Sequence, residues 1–160
     1  MQETDSKEIE LRDDQPSAVL AMLRFLYDLS YDSDKAYWND NRTLLQHARV
    51  YTVAEKYGIE GLRESVFETM EPIISEGVPR PDLLPSIREI ITGTSSSDYM
   101  ARPLMINYCV DNLVTLSKNE DFIALLGDLG ELGVAIITKH VAMCVGPHNV
   151  PSPQTDEFDF

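Results

Sequence analysis

Residues 44–70 read LLQHARVYTVAEKYGIEGLRESVFETM. Leu44, Ala48, Tyr51 and Ala54 recur at helical spacing and share one face, while Gln46, Arg49, Thr52 and Lys56 fall on the other. Gly58 stands where a left-handed residue ends that helix, because glycine has no Cβ to clash there. Ile59, Leu62, Val66 and Met70 then mark the inner face of a second helix. Glu60 and Glu64 lie in its early turns, where the helix dipole favours negative charge. The spacing predicts two helices meeting at a sharp corner and closing on a shared core.

Upstream, Glu8-Ile9-Glu10-Leu11 alternates polar and apolar, which predicts a short half-buried strand. Asp13-Asp14-Gln15-Pro16 breaks the chain and opens a helix with proline in its first turn. That helix, running to about Leu29, carries Val19, Leu20, Met22, Leu23, Phe25 and Leu26 on almost every side, and a helix apolar all round must be buried all round. Residues 28–42 form an acidic, aromatic loop. Its Asp32-x-Asp34 start fails as a calcium loop, since Ala36 and Tyr37 occupy the third ligand and glycine positions.

Downstream the pattern stays helical. Leu84, Ile87 and Ile91 point inward from a helix over 82–91. Met105, Cys109, Leu113 and Leu116 share a face of the next helix, with Pro103 near its start. Asn119 caps a helix containing Phe122, Ile123, Leu125 and Leu126, and a last helix carries Val134, Ile137, Val141 and Val145. The tail GPHNVPSPQTDEFDF is rich in proline and acid and reads as disordered, with Phe158 and Phe160 as potential anchors of a short binding motif.

The chain has 160 residues, of which 43% are hydrophobic, so one domain with a sizeable core is expected. The net charge is −14, spread evenly over the two halves. Such a surface repels phosphate backbones and anionic lipid, which argues against nucleic-acid and membrane partners. The acidic, polar start is no signal peptide, and Cys109 and Cys144 are too few for a disulfide framework. These features predict an intracellular protein of cytoplasm or nucleus, in which the sequon Asn41-Arg42-Thr43 has no role.

Chemistry is harder to find. Gly127-x-x-Gly130-x-x-Gly133 has the wrong spacing for a dinucleotide fingerprint and reads as a helix–helix turn. His47, His140 and His148 are scattered, so no metal or cofactor is expected. Cys109 sits on an apolar face as a small hydrophobe. A DNA-reading helix-turn-helix would need basic or amide groups on its second helix, which instead offers Arg63 among Glu60, Glu64, Glu68 and Glu71. No catalytic residues are expected.

The run EIEL-RDDQP-SAVLAMLRFLYDLSYD, a loop, then LLQHARVYTVAEKYGIEGLRESV resembles the BTB (POZ) family, fungal type, over residues 7–70. Residues 83–142 resemble the helical segment that follows that domain. The resemblance implies a predominantly α-helical chain: the C-terminal half of an α+β BTB fold over 1–72, a helical extension over 80–145 and the tail 146–160. It implies that the family's first half, with its early strands and dimer-forming helix, would cover part of the apolar helix at 16–29. It also implies a protein-interaction module rather than an enzyme, dimerising with another BTB chain, self-associating, or serving as adaptor to a cullin ubiquitin ligase. The alternative is a truncated or decoy fragment without autonomous function. The cullin-contacting hydrophobic-x-acidic motif aligns with Val19-Leu20-Ala21, where alanine replaces the acid. Val19, Asp28 and Tyr31 are the partner-binding residues the resemblance nominates.

Overall fold

The computed structural model describes residues 14–28, 31, 44–76 and 81–145. The strand expected at 8–11, most of the loop at 28–42 and the tail from 146 lie outside the described residues. Among those described, the chain is predominantly α-helical and contains no strand. Its helices are α1 (Pro16–Asp28), α2 (Leu44–Tyr57), α3 (Glu60–Ser75), α4 (Leu83–Gly93), α5 (Ala101–Asp111), the single turn α6 (Leu113–Leu116), α7 (Glu120–Asp128) and α8 (Gly130–Cys144).

The corner between α2 and α3 forms as the spacing predicts. Gly58 takes φ +67°, and the Ile59 amide donates to the Ala54 carbonyl at 2.9 Å to close the end of α2. Leu44, Ala48, Tyr51 and Ala54 are fully enclosed, as are Leu62, Val66 and Met70 of α3. Helix α2 is the hub: α1, α3 and α4 all pack against it. Its supposedly outer face is therefore not all outer. Thr52 is buried against α4, where a β-carbon on Gly93 would fall 2.6 Å from the Thr52 methyl. Glycine at position 93 is what lets α2 and α4 come this close.

A second tier is built from α5, α7 and α8. Helix α5 packs on α3, α4 and α8, while α7 packs on α4 and α8. Met105, Cys109, Phe122, Leu125, Leu132 and Ile136 are among its enclosed side chains. The face expected to run from Met105 to Leu116 is interrupted, because the helix ends at Asp111 and restarts as α6. Asn119 caps α7 as expected, its side-chain oxygen accepting from the amides of Asp121 and Phe122. Asp82 does something the sequence does not announce. Its carboxylate accepts from the Leu45 amide at 3.3 Å, satisfying an orphan donor in the first turn of α2.

Two helices turn out differently from their patterns. Helix α1 is not enclosed all round. Ala18, Ala21 and Met22 are buried and Phe25 is half-buried near Gly61, but Leu20, Leu23, Leu26 and Tyr27 face out. Helix α8 is buried through Leu132 and Ile136, whereas Val134, Ile137, Val141 and Val145 are all more than half exposed. Both helices are apolar on two sides, and periodicity cannot tell which side meets the core. Among the described residues, no helix is long and apolar enough to cross a membrane.

Candidate functional site

Helix α1 presents the first candidate surface. Leu20, Leu23 and Tyr27 recur three and four residues apart, so they form one outward stripe with Leu26 beside it. Their exposures are 46%, 43%, 87% and 51% respectively. The helix is fixed behind this stripe. Ala18, Ala21 and Met22 press on α2, and the Ser17 hydroxyl donates to Gln46 of α2 at 3.1 Å. At the N-terminal end, Asp14 accepts from Lys56 at 2.9 Å and from the Tyr57 hydroxyl at 2.6 Å, which ties the start of α1 to the end of α2. Those donors, Tyr57 first and Lys56 second, hold the Asp14 carboxyl below its ordinary value. The carboxylate in turn raises the Tyr57 phenol.

The three residues nominated as partner contacts are not brought together on this surface. Val19 is half-buried against the core, Asp28 ends α1, and Tyr31 is buried. The Tyr31 hydroxyl lies 2.7 Å from Nδ1 of buried His47, ring edge to ring face, so both groups serve the interior. Of the residues that do face outward, Leu20, Leu23 and Leu26 are legible in the sequence as apolar positions but not as exposed ones, and Tyr27 joins them.

Polar clusters inside the fold resolve as braces between helices. Tyr51 of α2 donates to Asp98 at 2.7 Å; the other oxygen of Asp98 accepts from the Arg102 amide at 2.7 Å. Arg102 reaches back to the Ile91 carbonyl at 2.8 Å and across to Glu131 of α8 at 2.7 Å. One chain of bonds thus joins α2, α4, α5 and α8. Burial, and next the bond to Asp98, push the Tyr51 phenol far above its ordinary value, so it keeps its proton and acts as a donor. Near the corner, Arg63 pairs with Glu55 at 2.6 Å and with Glu60, under the ring of Tyr99 at 5.2 Å. The Glu55 bond is the main reason its guanidinium is raised above the usual range.

Recesses open between the helices. One, about 500 Å³, lies between α4 and α7 over Leu84, Pro85, Ala124 and Leu125, with Arg88 at its rim bonded to Asp128 at 2.6 Å. A second, about 220 Å³, lies between α3 and α5 by Asn107, whose side-chain oxygen is buried without a hydrogen-bond partner. A third, about 150 Å³ and polar, is lined by Asp14, Arg49, Thr52 and Glu89. Cys109 is enclosed, and burial raises its thiol to about 12, which suits a core residue and not a nucleophile.

One pair escaped the sequence reading. His140 and Cys144 are four residues apart on exposed α8, with Nε2 and Sγ 3.7 Å from each other. The signal was available as a histidine and a cysteine at helical spacing. Among the described residues, no group of three or more histidine, cysteine or acidic side chains is placed to hold a metal ion.

No protein-family model matches this chain, and it has no significant match among curated proteins or solved structures.

Proposed function

We propose that this chain is a protein-interaction module of the BTB (POZ) type, and that the outward stripe of α1 is its docking surface. The observation that carries this reading is the stripe itself: Leu20, Leu23, Leu26 and Tyr27 on a helix held rigidly from behind. Contiguous apolar side chains on a fixed helix mark a surface made to be covered. The resemblance over residues 7–70 supports the same reading, since it places LRFLYDLSY in the helix that the family's first half covers. The corner of α2 and α3 supplies the scaffold behind it. The partner is another BTB chain or the N-terminal domain of a cullin. A net charge of −14 favours a partner that brings basic groups around an apolar centre. The activity is recognition, not catalysis.

The test is sedimentation and capture with the wild-type chain and the Leu23→Asp/Leu26→Asp double variant. The wild-type chain self-associates, or binds an immobilised BTB chain or cullin N-terminal domain, and the double variant loses that association while keeping its helical circular dichroism. A wild-type chain that stays monomeric at every concentration and captures neither partner overturns the reading. Association unaffected by the double substitution overturns the assignment to α1.

A further inference from the structure

Helix α8 carries a feature that the docking of α1 does not use. We propose that α8 is a metal-dependent self-association helix: His140 and Cys144 bind one Zn²⁺ shared with the same pair of a second copy.

The geometry supports a common metal. Zinc takes thiolate sulfur at about 2.3 Å and imidazole nitrogen at about 2.0–2.1 Å, and tetrahedral angles then separate the two donors by roughly 3.6 Å. Nε2 of His140 and Sγ of Cys144 stand 3.7 Å apart, so little rearrangement is needed. Both side chains are exposed, and no third donor is placed beside them among the described residues. Among the described residues, one chain therefore supplies two of the four ligands of a tetrahedron. A two-fold axis through the metal supplies the other half with an identical pair, giving the Cys₂His₂ set that zinc favours. Each shared ion displaces two thiol protons, one from each Cys144, and the resulting site is electrically neutral.

The surroundings favour a second copy over water. Val134, Ile137, Val141 and Val145 form an exposed stripe bordering the pair, at 66%, 65%, 51% and 59% exposure. Antiparallel packing about the metal brings the C-terminal halves of two such stripes together. Four side chains on one helix fall short of the roughly 800 Å² per partner of a stable interface. Two chains of charge −14 also repel each other. In this pairing the metal adds directed bonds to an apolar contact of small area. Cys109 does not compete, because it is enclosed.

The experiment uses the full chain with Leu23→Asp/Leu26→Asp, so that association through α1 is silent, in the presence of a phosphine reductant that prevents a Cys144 disulfide. Zinc is titrated into chelator-treated protein while mass is followed by light scattering. The expected result is a doubling from 18.0 kDa at one zinc per two chains. Cys144→Ser and His140→Ala each abolish the doubling, and Ile137→Glu weakens it at least tenfold without loss of helix. Cobalt substitution gives tetrahedral visible bands with a thiolate charge-transfer band. Absence of zinc binding, a doubling that survives Cys144→Ser, or one zinc per chain without change of mass each overturns the proposal. The last outcome would point instead to a site completed within one chain, for which His148 is the next residue at the same spacing.

Discussion

Asp98 shows how much one residue can organise. It is only 6% exposed, yet it accepts from a phenol and from a backbone amide at opposite oxygens. A hydrogen bond to a charged group contributes about 1.5–3 kcal/mol, and leaving a buried acceptor unmet costs a similar amount. Tyr51→Phe is therefore expected to lower stability by about 2 kcal/mol in urea unfolding, with the fold retained. Asp14 governs a different kind of dependence. Its folded value lies below 3.8, so the stability it contributes is present above that pH and is lost as pH falls through the lowered value. Tyr57 is raised above 10.0, so its contribution is present below that pH and is lost as pH climbs through the raised value. Thermal melts of wild type against Asp14→Asn should differ by a constant amount between pH 3.8 and 10.0, and the gap should narrow outside that window on both sides. A gap independent of pH would refute the coupling.

Individual helices depend on a few backbone positions. Gly58 at φ +67° has open space around it, so a side chain there suffers only conformational strain. Gly58→Ala is expected to cost about 1–2 kcal/mol, and Gly58→Asn less, because asparagine tolerates the left-handed region. Gly93 is the reverse case: its backbone is ordinary but the Thr52 side chain occupies the place of a β-carbon. Gly93→Ala should destabilise more than Gly58→Ala, and Thr52→Ala should partly rescue it in a double-mutant cycle. Asn119→Ala removes the acceptor for two amides at the start of α7 and should cost about 1 kcal/mol by chemical denaturation. The same helices show what could be read in advance. The α2–α3 corner was legible because α2 alternates a small-and-apolar face with charged residues, and because a single glycine separates it from the next apolar period. The Asn119 cap was legible for a similar reason, since capping is local. The inner face of α8 is not legible in the sequence: Val134, Ile137 and Val141 are spaced as well for burial as Leu132 and Ile136, and only tertiary packing chooses between them. The buried Thr52 escaped notice because its burial depends on a glycine 41 positions away. Tyr31 was nominated as a surface contact, yet its hydroxyl partner His47 lies 16 positions on, a pairing that no local pattern encodes.

At the level of the whole molecule, the described residues combine a continuous apolar interior with outward apolar stripes on α1 and α8. Because Leu23 and Leu26 are exposed, replacing both with aspartate should change unfolding free energy by no more than about 0.5 kcal/mol each, while abolishing association through α1. A large loss of stability in the monomeric state would instead mean that these side chains belong to the core. The interior does not respect a division of the chain near residue 80. Helix α2 presses on α4, Asp82 caps α2 from the far side of that division, and Tyr51 is bonded to Asp98. A protease cut in the connection after α3 would accordingly yield two pieces that still cling to one another and melt in a single step. Either piece synthesised by itself would bare the Ala48 and Tyr51 side of α2, or the Ile87 and Ile90 side of α4, and clump.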